Sequence, residues 1–106
     1  MIITTTPAIE GKKITQYLGL VSGSSIMGTS FARDIFARVA DFTGGRVSAY
    51  ESELKKARSS AISEMRAEAA KLGANAILGV DLDFESLGEK GSILMVSATG
   101  TAVIVS

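Results

Sequence analysis

The stretch Ser92 to Ser106, SILMVSATGTAVIVS, contains no charged side chain and constrains the fold more than any other part of the sequence. A membrane-crossing helix needs roughly 20 predominantly apolar residues, and Ser, Thr and Gly interrupt this shorter run, so it reads as a strand. From about Ile93 to Val105, one side carries Leu94, Val96, Ala98, Gly100, Ala102 and Ile104. The other carries Ile93, Met95, Ser97, Thr99, Thr101, Val103 and Val105. Apolar groups on both sides require cover on both sides. With 106 residues the chain forms a single domain, residues 1–106, able to bury roughly 65% of its unfolded surface in one two-layer core.

The other elements follow from periodicity. Ile2 and Ile3 with the following threonines form a short edge strand, which Pro7 limits because it has no backbone donor. Ile14 to Ile26 reads as a longer strand, with Ile14, Gln16, Leu18 and Leu20 on one face and Thr15, Tyr17, Gly19 and Val21 on the other. The uncharged span Ile14 to Ala32 is too polar for a membrane helix. Phe31, Ile35, Phe36, Val39 and Phe42 recur at helical spacing and predict a short amphipathic helix from about Phe31 to Phe42. A long helix begins near Ser48 to Tyr50 and runs to Leu72. Its stripe is Leu54, Ala57, Ala61, Met65, Ala69 and Leu72, with Glu51 in capping-box spacing from Ser48 and Gly73 as carboxyl-terminal cap.

Ala76, Leu78, Val80, Leu82 and Phe84 then alternate with Ile77, Gly79, Asp81, Asp83 and Glu85, giving a strand that pairs with the last one in an antiparallel hairpin. One helix covers one sheet face only, so Ile77, Ile93, Met95, Val103 and Val105 on the opposite face predict partner subunits as cover. Edge strands with free backbone groups favour the same outcome.

GGR followed by Tyr50 and Glu51, GANAILGVDLDFE from Gly73, and ATGTAV from Ala98 together resemble the YbjQ-like family of small uncharacterised bacterial and archaeal proteins, over nearly the whole chain. The resemblance implies an α/β (α+β) fold: a two-layer, dodecin-like β-α-β-β subunit with an antiparallel sheet, a short extra helix, and accessory strands that close subunits into a ring, expected to be a homopentamer. It implies no established activity. The family's heavy-metal-binding label raises a divalent cation as candidate cofactor without assigning ligands.

The absence of Cys and His removes thiol and imidazole chemistry, disulfides and zinc-finger-like sites. Asp81, Asp83 and Glu85 are the metal candidates, since carboxylates suit Ca²⁺, Mg²⁺ or Mn²⁺. Alternate strand residues lie roughly 6.5 to 7 Å apart, however, against metal–oxygen distances of about 2 to 2.6 Å. Convergence therefore needs a bend or another subunit, and a solvated strand face is the plainer reading. Met27, Met65 and Met95 read as core or interface filler.

Gly44, Gly45 and Arg46, with Tyr50 beside them, are the ligand or anion candidates. A positive-φ turn with an anchoring Arg is the simpler account, and the nucleotide-binding motifs are absent. Lys12 and Lys13 form a small basic turn. Lys55, Lys56 and Arg58 lie among Glu51, Glu53, Glu64 and Glu68, which favours surface ion pairs over a nucleic-acid track. Eleven basic residues balance eleven acidic ones, which argues against nucleic-acid or membrane partners. Ser59 and Ser60 have no activating partner, and no catalytic set emerges.

The expectation is a cytoplasmic, non-enzymatic homo-oligomeric module that binds a small ligand at a subunit seam or pore. The alternative is a carboxylate-based cation-binding protein. No secretory signal is expected, because MIITTTPAIEGKK lacks a basic region ahead of an apolar one.

Overall fold

The structure is a computed structural model and describes residues 1–27, 48–87 and 93–106. Strands β1 (Ile2–Ile3), β2 (Ile14–Met27), β3 (Ala76–Leu87) and β4 (Ile93–Val105) form one sheet in the order β1-β3-β4-β2. Helix α1 (Ser48–Lys71) packs on one face. The extra helix expected over Phe31 to Phe42, and the turn from Gly44 to Arg46, lie outside the described residues.

The sheet is mixed, which corrects the expected antiparallel sheet: β2 and β3 flank β4 antiparallel, but β1 runs parallel to β3. The parallel pairing is extended by backbone bonds beyond the strand. Ile2 N–H donates to the Asn75 carbonyl, Thr4 N–H to that of Ile77, and Val80 N–H to that of Thr4. Gly79 N–H then donates to the Thr6 carbonyl, and Pro7, having no donor, ends the run.

Two core clusters lie on opposite sheet faces. Ala57, Ala61, Met65 and Ala69 of α1 pack on Val21, Ile77, Val80, Val96, Ala98 and Ala102. On the other face, Ala76, Leu78, Val103 and Val105 are covered by Ile9 and Ile14. The segment joining β1 to β2 therefore serves as cover, and a partner chain is not needed for that end of the open face. Ile77 turns to the helix instead of away from it. The reason is a bulge between Leu78 and Asp81, where Gly79 takes φ 59° and one extra residue inverts the facing of everything before it. The same effect alters β2, whose register shifts between Ile14 and Gln16 and again between Tyr17 and Gly19. Leu18 and Val21 consequently face the helix, while Leu20 stands 82% exposed.

The helix lies mainly over β2 and β4 and barely over β3. Its alanines allow it to sit close, and Gly23 sets how close: a Cβ built there would stand 2.6 Å from the Met65 backbone nitrogen and 3.0 Å from the Glu64 Cβ. Leu72, expected in the buried stripe, lies beyond the last helical residue and is 46% exposed. There the chain closes a Schellman motif: Ala74 N–H donates to the Ala69 carbonyl and Gly73 N–H to that of Ala70, with Gly73 at φ 85°. Asn75 then fastens the junction to β4. Its side-chain nitrogen donates to the Val105 carbonyl at 2.9 Å, and its side-chain oxygen accepts from Val105 N–H at 2.8 Å. Asn75 N–H also donates to the Val103 carbonyl, so one residue imitates a strand end by means of its amide.

Candidate functional site

Away from α1, the registers of three strands bring polar side chains into rows. Ser22 lies opposite Thr99, which lies opposite Asp81, and Ser24 opposite Ser97, which lies opposite Asp83. All point away from the helix, because their neighbours Val21, Gly23, Val80, Leu82, Ala98 and Gly100 point toward it. A third row, Ile26, Met95 and Glu85, bounds the patch on one side. Leu20 opposite Thr101 begins an apolar area on the other. The open face thus presents a band of hydroxyls ending in carboxylates, between exposed apolar groups.

Asp81, Asp83 and Glu85 occupy one face of the outer half of β3, as their spacing requires. Asp83 is held above the ordinary carboxylate range, chiefly by a hydrogen bond with the Asp81 carboxyl, then by the Asp81 charge, desolvation and, least, the Glu85 charge. Asp81 is thus the main influence on the Asp83 carboxyl, and Glu85 the weakest. Among the described residues, no group of three or more Asp or Glu side chains is placed to hold a metal ion.

The raised Asp83 value fixes a sign. The native protein holds that proton more tightly than the unfolded chain does, so stability is gained as pH falls through the raised value, and the repulsion is felt in full above it. Asp83→Asn, which keeps a donor toward Asp81 without the charge, is expected to raise the melting temperature at neutral pH and to make no difference in acid. Thermal melts in chelator between about pH 4 and pH 8 check this, and a lower neutral-pH melting temperature for the variant would contradict it.

A cavity of about 210 Å³ opens on the same face among Pro7, Tyr17, Leu78, Gly79 and Thr101. Tyr17 is 70% exposed beside it, and Ile26 stands 64% exposed at the far end of β2. β2 is an edge strand, and among the described residues no strand pairs with its outer side. Glu68 Oε2 accepts from Ser22 N–H on that edge at 3.4 Å.

Of the expected anion residues, Gly44, Gly45 and Arg46 lie outside the described residues, and Tyr50 belongs to the first turn of α1. In the basic cluster, Lys56 pairs with Glu53 at 3.3 Å. Met65, a conceivable soft-metal ligand, is fully buried in the core. The hydroxyl rows were missed in the sequence. Their signal is there as alternate polar residues in three otherwise apolar strands, Ser22 with Ser24, Asp81 with Asp83, and Ser97 with Thr99, but adjacency depends on register.

Among the described residues, no helix is long and apolar enough to cross a membrane. A family profile described as "Putative heavy-metal-binding" matches residues 1–106. The structure is similar to a crystal structure of a protein of unknown function from Pediococcus pentosaceus, assigned to the DUF74 family. The two share 18% identity over 100% of this chain and 98% of that one, with a TM-score of 0.67. At that identity the likeness shows an α+β fold.

Proposed function

The chain belongs over its full length to the YbjQ-like family, described as "Putative heavy-metal-binding", and we propose that it works as a non-enzymatic homo-oligomeric module, a pentameric ring in the cytoplasm, that binds a small ligand at a subunit seam. The observation that carries this reading is the open sheet face. Tyr17, Leu20 and Ile26 stand exposed there beside the long outer edge of β2. Exposed apolar surface next to free backbone groups is relieved by association. The cavity bounded by Pro7, Tyr17 and Leu78 lies on the same face, where a neighbouring copy would complete its wall. Sedimentation across a range of protein concentrations tests the assembly. A ring is expected at micromolar concentration, and Leu20→Arg is expected to give folded, smaller species. A stable wild-type monomer at that concentration overturns the reading.

The residues do not fit a soft heavy-metal centre. Such ions select thiolate and thioether donors, or imidazole; the chain has no Cys and no His, Met65 is shut in the core, Met27 packs against the helix-face cluster, and Met1 and Met95 lie at opposite ends of β3. A hard divalent cation suits the oxygens of the open face better. The observation that favours this second reading is that Asp81 and Asp83 share one strand face, with Thr99 and Ser97 directly opposite them, and that Asp81 raises the Asp83 pKa. Side chains from several copies would complete the coordination. Protein purified without chelator should then retain stoichiometric metal, lost without dissociation when Asp81→Asn and Asp83→Asn are combined. Unchanged occupancy rejects these ligands.

A further inference from the structure

On the helix face, α1 lies over β2 and β4 and barely reaches β3, so among the described residues the helix does not cover the outer half of β3. A cavity of about 300 Å³ opens at that place, lined by Glu51, Leu54, Lys55 and Arg58 of α1 and by Phe84 of β3. The four helix residues fall at i, i+3, i+4 and i+7, one face of the helix. Phe84 points to the same side as Leu82, which packs on the helix-face core, yet it remains 50% exposed.

The charges around the ring are uneven. Among the described residues Lys55 and Arg58 have no carboxylate partner, whereas their neighbour Lys56 is paired with Glu53. Two cations thus border an apolar floor made by Leu54 and Phe84, with Glu51 one turn before Lys55. A guanidinium binds phosphate or sulfonate oxygens through paired donors, and an ammonium adds a point charge. The half-exposed Phe84 ring supplies aromatic surface against which a flat group can stack.

We propose that this cavity binds small aromatic anions, the ring seated on Phe84 and Leu54 and a terminal phosphate or sulfonate held by Lys55 and Arg58. The site lies within one chain and on the opposite sheet face from the seam described above, so it stands or falls separately from the ring.

Titration of the ¹⁵N-labelled protein with 4-nitrophenyl phosphate tests it. The expected dissociation constant is about 1 mM, as ordinary ligand efficiency gives for a probe of that size. Amide shifts should centre on Leu54, Arg58 and Phe84. Lys55→Gln combined with Arg58→Gln is expected to weaken binding about tenfold, equivalent to about 1.4 kcal/mol. Phe84→Leu is expected to abolish the preference for 4-nitrophenyl phosphate over inorganic phosphate. Lys56→Gln should leave binding unchanged, which separates a built site from general surface charge. Shifts centred elsewhere, equal loss with Lys56→Gln, or no binding at ten times the expected constant overturns the proposal.

Discussion

Gly23→Val is expected to prevent the chain from folding, and Gly23→Ala to destabilise it by about 3 kcal/mol or more. The cause is the backbone of α1. A Cβ at Gly23 would press on the Ala61 carbonyl oxygen, stand 2.6 Å from the Met65 nitrogen and meet the Glu64 Cβ at 3.0 Å. Two of the three obstacles are backbone atoms of one helix, and no rotamer change moves them. The helix would have to lift from β2, uncovering Val21 and opening a gap around Ala61 and Met65. Gly100 is crowded differently: its nearest obstacle is a side-chain methyl, the Ile77 Cγ2 at 2.6 Å, and its backbone obstacle, the Leu78 carbonyl oxygen, stands at 3.2 Å. Gly100→Ala should therefore cost less than Gly23→Ala. Urea unfolding followed by circular dichroism ranks the two, and an unchanged midpoint for Gly23→Ala would show that the helix does not approach this closely.

Met65→Ala is the second large effect, with an expected loss of roughly 2 to 5 kcal/mol. Among the described residues Met65 is the largest fully buried side chain, and it packs from α1 into the cluster containing Val21, Val96 and Ala98. Its helix neighbours in that cluster, Ala61 and Ala69, are too small to fill the space it would leave. A total stability of about 5 to 15 kcal/mol is usual for a domain, so the Ala variant should melt far below the wild type. Met65→Leu conserves volume and should cost under about 1.5 kcal/mol. The pair also separates packing from metal chemistry. If the sulfur served as a ligand, Met65→Leu would lose bound metal while keeping its stability, whereas a packing role predicts unchanged metal content.

Both effects arise from features that were legible to different degrees. The buried stripe Ala57, Ala61, Met65 and Ala69 could be read from helical spacing, and its two expected ends depart from it: Leu54 is half-buried at the cavity beside Phe84, and Leu72 lies past the end of α1. The facing of β4 was legible too, since its alternation runs without interruption from Val96 to Val105. β3 could be read correctly from Val80 outward but not before it. Ala76, Ile77 and Leu78 are inverted relative to simple alternation by the bulge at Gly79. Nothing in the spacing of apolar residues distinguishes an interior glycine that bulges from one that does not. Likewise, the apolar Val103 and Val105 suggested a partner, whereas Ile9 and Ile14 of the same chain cover them. That cover comes from residues remote in sequence, Ile9 in the segment between β1 and β2 and Ile14 at the first position of β2.

The candidate site divides in the same way. That Asp81 and Asp83 share a strand face is a local property, and their mutual influence on the Asp83 carboxyl follows from it. The rows that join them to Thr99, Ser97, Ser22 and Ser24 are not local, nor is the placing of Phe84 beside Lys55 and Arg58.

The sequence by itself determined the kind and order of the principal elements, the alanine-lined helix face and the exclusion of thiol and imidazole chemistry. These depend on residue type and on spacings of two to four positions. Only the tertiary structure decided the parallel pairing of β1, the inward turn of Ile77 and the meeting of hydroxyls with carboxylates on the open face. A single extra residue in a strand reverses every facing on one side of it, and the registers of strands distant in sequence are selected by how the helix and the amino-terminal segment pack against them.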